Sequence, residues 1–147
     1  MIKKQLSTAE MAVEFSLLVS RTNAELTRRL DRRLGAFHGL SFVDYIVLSE
    51  LARDPNGRLR RVDLAEKLGL TQSAVTRILL PLEKIGLVSR HPDPNDARVG
   101  YAALTKTGRV MHENATVTAE ETCGDLLSGI SDEEFEAARN AFRRITR

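Results

Sequence analysis

Residues 62–86 read Val62-Asp63-Leu64-Ala65-Glu66-Lys67-Leu68-Gly69-Leu70-Thr71-Gln72-Ser73-Ala74-Val75-Thr76-Arg77-Ile78-Leu79-Leu80-Pro81-Leu82-Glu83-Lys84-Ile85-Gly86. Leu64, Ala65 and Leu68 fall at helical spacing and stop at Gly69. Thr71 then stands as an N-cap. Ala74, Val75, Ile78, Leu79 and Leu82 repeat at helical steps until Gly86. The segment reads as two short helices crossing steeply, with Gly69 permitting the sharp turn between them. Pro81 has no N–H, so the carbonyl of Arg77 loses its helical partner and a kink is expected there.

Working outward, Leu87–His91 reads as a strand, Pro92-Asp93-Pro94-Asn95-Asp96 as a tight turn, and Val99–Leu104 as the returning strand. Upstream, Asp54-Pro55-Asn56-Gly57 is a turn, followed by a short extended piece, Arg58-Leu59-Arg60. Ser41 and Asp44 open a helix that carries Phe42, Tyr45, Val47, Leu48 and Leu51. Before it, Met11, Phe15, Leu18, Leu26, Leu30, Leu34 and Phe37 form the apolar stripe of a helix from about Thr8 to Phe37, closed by Gly35 and Gly39. At ~1.5 Å per residue it spans roughly 45 Å, more than one small core requires. Thr105 caps a further long helix with Val110, Met111, Val117, Leu126 and Leu127 as apolar anchors. Ser131 and Glu134 open the last helix, where Phe135, Ala138, Phe142 and Ile145 follow coiled-coil seam spacing.

Composition sets the class. Of 147 residues, 42% are hydrophobic and 29% charged, as in a soluble globular domain. No apolar run approaches the ~18 residues of a membrane span, so no membrane association is expected. No apolar stretch follows the basic start Met1-Ile2-Lys3-Lys4-Gln5, so a secretory signal is not expected and the cytoplasm is the expected location. The formal net charge is +2, but residues 53–98 hold nine Lys/Arg against six Asp/Glu, which suits a polyanionic partner.

The second short helix leaves Gln72, Ser73, Thr76 and Arg77 off its apolar side. Gln bonds adenine edges, Arg bonds guanine with two hydrogen bonds, and Ser or Thr serves bases or phosphates. Free N–H groups at the helix start favour a phosphate. Directly after it, Asp96-Ala97-Arg98 closes a two-stranded ribbon that can place Arg98 in the minor groove, with Asp96 holding Arg98 extended by pairing with it. The expected fold class is therefore mainly α with a small β-ribbon: a winged helix-turn-helix with long N- and C-terminal dimerisation helices. One domain is expected over residues 1–147, with the winged lobe at about 41–104 and the dimerisation helices at about 8–37 and 105–147.

These stretches resemble the MarR (multiple antibiotic resistance regulator) family. The resemblance rests on Asp63-Leu64-Ala65, on Gln72-Ser73-Ala74-Val75-Thr76-Arg77 and on Leu82-Glu83-Lys84-Ile85-Gly86-Leu87-Val88-Ser89-Arg90. It continues through Asp93-Pro94-Asn95-Asp96-Ala97-Arg98 to Leu104-Thr105-Lys106-Thr107-Gly108. Together they span residues 63–108, about a third of the chain, in the family's order. The resemblance implies a homodimeric transcription regulator that binds double-stranded DNA at a near-palindromic operator, a repressor released by a small ligand. It implies that Gln72, Ser73, Thr76 and Arg77 face DNA, that Arg98 is the wing residue, and that Thr71 and Arg90 lie at the same surface. It also implies a pocket for a small aromatic or phenolic effector, for which Phe37, His38, Tyr45 and Met111 are the candidates. Leu80 and Pro81 depart from the family, which more often has polar or basic residues there.

Two other readings compete. A winged-helix protein–protein adaptor would not need Arg77 and Arg98 on one face. A cysteine-based redox sensor would depend on Cys123, the chain's one cysteine, which reads more simply as a small apolar residue. His38, His91 and His112 show no metal-ligand spacing, so no metal, no cofactor and no enzymatic site are expected.

Overall fold

Ser7, Ser41, Thr71, Thr105 and Ser131 each stand one residue ahead of a helix, and each side chain accepts a hydrogen bond from the backbone N–H three residues on. A cap of this kind contributes about 1 kcal/mol, so these five residues punctuate the chain. At Ser7, Ser41 and Ser131 the acidic residue three positions on (Glu10, Asp44 and Glu134) bonds back to complete a capping box. The computed structural model describes residues 6–96 and 98–146; the basic start Met1–Gln5 and Ala97 lie outside the described residues.

The elements run α1 Thr8–His38, α2 Phe42–Arg53, β1 Arg58–Arg60, α3 Arg61–Leu68, α4 Gln72–Lys84, β2 Val88–Pro92, β3 Gly100–Leu104, α5 Lys106–Leu126 and α6 Asp132–Ile145. The expected two-stranded ribbon is in fact a three-stranded antiparallel sheet in the order β1-β3-β2. Ala102, at the centre of β3, pairs with Leu59 on one side and Arg90 on the other. The short extended piece before α3 therefore covers an edge of β3 that a two-stranded ribbon would leave open. One apolar cluster joins Leu30 and Leu34 of α1, Val47, Leu48 and Leu51 of α2, and Leu64 of α3. It continues through Val75, Leu79 and Leu82 of α4 to Ala115 and Ala119 of α5. Among the described residues no single helix is long and apolar enough to cross a membrane.

Two expectations about apolar faces are corrected. On α1 only Leu30 and Leu34 of the seven-residue stripe are buried, while Met11, Phe15, Leu18 and Phe37 are exposed. On α5 the anchors Val110 and Val117 are more than half exposed, and the buried residues are Gly108, Ala115, Thr118, Ala119 and Thr122. The reason is the closeness of the α5 contacts. Small side chains let its backbone approach α1 and the sheet, so the larger apolar residues are turned outward. α6 buries none of its residues, and Phe142 meets Phe15 of α1 with ring centroids 6.0 Å apart. The N-terminal half of α1 and the length of α6 thus carry apolar surface that the chain alone does not cover.

Gly108 makes the closest of these approaches. A Cβ there would lie 2.0 Å from the carbonyl oxygen of Leu87. Gly108→Ala is expected to destabilise the fold by about 3 kcal/mol or more, since the obstacle is backbone. That corresponds to a melting temperature lower by roughly 6–12 °C. Gly124→Ala, at an exposed site in the same helix with nothing within 4 Å, should be neutral or stabilising. Thermal unfolding followed by circular dichroism checks both; equal melting temperatures for the two variants would refute the close contact.

Candidate nucleic-acid interface

The α3–α4 corner depends on Gly69, whose left-handed backbone (φ 63°) ends α3. The N–H of Leu70 returns to the carbonyl of Ala65 at 2.9 Å. Thr71 then caps α4. With Val75, Leu79 and Leu82 turned into the core, Gln72, Ser73 and Arg77 are exposed on the opposite side, beside Thr71. Thr76 is half-buried, and its hydroxyl accepts a hydrogen bond from Arg61 Nη1 at 3.3 Å. α4 continues past Pro81 to Lys84, with the Pro81 carbonyl accepting from the N–H of Ile85 at 3.1 Å. Leu80 is half exposed on this helix.

The wing differs from expectation in one contact. Asp96 does not pair with the guanidinium of Arg98; its Oδ1 accepts from the backbone N–H of Arg98 at 2.9 Å. The carboxylate thus fixes the turn rather than the side chain. The Arg98 side chain is exposed, and among the described residues it has no carboxylate partner. Asp93 shapes the same turn by accepting from the N–H of Asn95 at 2.7 Å, and that bond holds its carboxyl below the usual carboxylate range. Arg90 is exposed but bridged to Glu83 of α4 at 3.3 Å.

Sequence reasoning passed over three arginines that flank this surface. Arg60 makes two hydrogen bonds to Asp63, at 2.9 and 3.2 Å. The Arg58 guanidinium sits 4.7 Å from the ring centroid of Tyr101. Arg61 joins α3 to Thr76. The signal was present: three arginines within four residues, directly before the two-helix segment.

Residues 40–99 match the family model described as MarR family. The fold agrees with the crystal structure of Sco3205, a MarR family transcriptional regulator from Streptomyces coelicolor, in complex with DNA: TM-score 0.81, 27% identity, 97% of this chain and 88% of that one. The winged segment of this chain is thus similar to the MarR family. Among curated relatives, the chain is 38% identical over 72 residues to the uncharacterized HTH-type transcriptional regulator YdgJ of Bacillus subtilis (strain 168). That match covers 49% of this chain and 44% of YdgJ, less than half the length of either protein. It is 27% identical over 119 residues to the HTH-type transcriptional regulator PapX of Escherichia coli, covering 81% of this chain and 72% of PapX. Both relatives are described as HTH-type transcriptional regulators.

The four candidate pocket residues lie around the α1–α2–α5 junction. Phe37 is 66% exposed, with the Arg33 guanidinium over its ring. His38 Nε2 lies 2.8 Å from Thr118 Oγ1. Met111 packs half-buried against the core. Tyr45 stacks on His112 with centroids 5.6 Å apart, and its hydroxyl lies 3.2 Å from Thr116 Oγ1. His112 Nε2 in turn lies 3.1 Å from Ser49 Oγ. His112, Ser49 and Thr116 were not legible as a group, because they meet only once α2 and α5 pack. Cys123 is partly buried on α5, and burial pushes its thiol up, against thiolate formation.

Burial pushes the imidazole of His112 down; Arg53 and Arg109 act in the same direction and Glu113 opposes them. The unfolded chain therefore binds the proton first as pH falls. The stability held by neutral His112 is complete above the ordinary histidine value and is lost as pH falls through the lowered one. The parent should lose more melting temperature between pH 7.5 and pH 5 than His112→Gln. Identical pH profiles for the two proteins would contradict this.

Proposed function

We propose that this chain is a homodimeric, sequence-specific regulator of transcription that lays α4 in the major groove of double-stranded DNA and Arg98 in the minor groove. The observation that carries the reading is the exposed set Gln72, Ser73 and Arg77, held opposite the buried face of α4, with the exposed Arg98 on the adjoining wing. Sco3205, at 27% identity and over 88% of its length, is known in complex with DNA. The uncovered apolar surfaces of α1 and α6 support the dimer, since exposed patches of this kind mark association surfaces. A two-fold dimer asks for a near-palindromic operator with half-sites roughly 10 base pairs apart, centre to centre.

The finer reading is a cytoplasmic repressor released by a small aromatic or phenolic effector. It is supported by the position of His38, Tyr45 and Met111, where the long helices meet α2 below the DNA-facing lobe. An effector that wedged these helices apart would move one lobe relative to the other. The redox alternative is weakened by the burial that disfavours the Cys123 thiolate.

Arg77→Ala and Arg98→Ala should fail differently against a randomised duplex library titrated at two salt concentrations. Loss of Arg77 should cost about 1–3 kcal/mol and relax preference at one position per half-site. Loss of Arg98 should weaken binding to many sequences and remove a preference for A·T flanks. If both variants bind and select as the parent does, the DNA-binding assignment gives way to the adaptor reading. Sedimentation at micromolar protein should return twice 16.4 kDa; a clean monomer would defeat the dimer.

A further inference from the structure

Between the wing and the two-helix segment lies a cleft of about 300 Å³ lined by Arg60, Arg61, Val62, Gln72, Arg98, Val99 and Gly100. Three guanidinium groups and one side-chain amide therefore converge on it. They are not equivalent. The charge of Arg60 is satisfied by Asp63 through two hydrogen bonds. Among the described residues, Arg61 and Arg98 have no carboxylate partner. Arg61 is nevertheless held in place. Its Nη1 donates to Thr76 Oγ1 on α4 at 3.3 Å. On its other side lies the first residue of β3, where a Cβ built on Gly100 would be 3.4 Å from both Arg61 Nε and Nη2. The absent side chain at Gly100 is what leaves room for the guanidinium against the wing.

We propose that this cleft is a binding site for one backbone phosphate of DNA, with Arg61 as its fixed cation and Gln72 as a neutral donor, beside the Arg98 that reaches on to the minor groove. The inference rests on the DNA-binding reading above and adds a subsite to it. A guanidinium presents a planar fork of donors that matches phosphate oxygens. A cation without a carboxylate partner can exchange its solvent counterions for a phosphate without breaking an ion pair, and the volume admits a phosphodiester with part of its sugar. The position argues for DNA rather than a free anion. The cleft opens between the two elements that read the grooves, where the strand must pass from one to the other. A contact there carries no base information; it sets the register of α4 and of the wing on the duplex. Because Arg61 touches Thr76 on one side and lies against Gly100 on the other, one phosphate would fix both elements together.

The test needs no operator, because phosphate contacts act on any sequence. The probe is a fluorescent 30-base-pair duplex of mixed sequence, titrated by anisotropy from 50 to 300 mM KCl with the parent, Arg61→Gln and Arg61→Lys. Glutamine keeps a donor within reach of Thr76 but removes the charge; lysine keeps the charge and removes the fork. Arg61→Gln should lower the log–log salt slope by about two per dimer and weaken binding on the order of 60-fold at 0.1 M salt. Arg61→Lys should restore most of the slope. All three should share one circular dichroism spectrum and one melting temperature within a few degrees. If Arg61→Gln keeps the parent's slope and affinity, there is no phosphate in the cleft. If Gln and Lys weaken binding equally with the slope unchanged, Arg61 is only a structural tie and the site is refuted. If the parent itself does not bind the duplex at 50 mM salt, the DNA-binding reading fails, and the phosphate site fails with it.

Discussion

The hydrogen bonds of Thr105 hold the two halves of this molecule at one angle. Its N–H donates to the carbonyl of Leu87 at 3.1 Å. Its hydroxyl donates to the carbonyl of Gly86 at 2.6 Å and accepts from the N–H of Gly108 at 2.9 Å. One residue thus ties the turn after α4, the end of β3 and the start of α5. Gly108 completes the joint, because the space of its Cβ is occupied by the Leu87 carbonyl. The winged lobe therefore cannot swing on α5 without breaking several hydrogen bonds at once. Whatever orients α5 orients α4 and the wing.

What orients α5 is α1. Ala115, Ala119 and Thr122 are small, and Leu30 and Leu34 fill the space against them. The same choice of small residues turns Val110 and Val117 outward. With α6 unburied along its length and Phe15, Met11 and Leu18 uncovered, apolar surface gathers on α6 and the N-terminal half of α1. Association of two copies through that surface would fix the separation of two recognition helices. In the wing turn, two carboxylates bond to backbone: Asp96 to the N–H of Arg98, Asp93 to that of Asn95. Among the described residues, the Arg98 side chain is left without a carboxylate.

Most of this was legible in the sequence where the determinant is local. Helix starts follow from Ser41, Thr71, Thr105 and Ser131, and the corner follows from Gly69, because each acts within a few residues of itself. The exposed face of α4 followed from the spacing of Val75, Leu79 and Leu82. What was not legible depends on packing between distant elements. Periodicity ranks residues by size, so it named Val110 and Val117 as anchors where the contact selects alanine and glycine. The pairing of β1 with β3, the meeting of His112 with Tyr45 and Ser49, and the placement of Arg61 against Thr76 and Gly100 all join residues far apart in the chain. The role of Asp96 was misjudged for a different reason. A carboxylate two residues before a backbone N–H commonly bonds that N–H and not the side chain beyond it.

Fold and function are tied together if two copies set their recognition helices one turn of DNA apart. Spin labels on Ser73→Cys, in a Cys123→Ser background, report that separation by pulsed dipolar spectroscopy. The distance distribution should centre near 34–36 Å, about one helical turn, and narrow when duplex DNA is added. A missing dipolar signal, or a distance far from one turn that DNA does not shift, would contradict it.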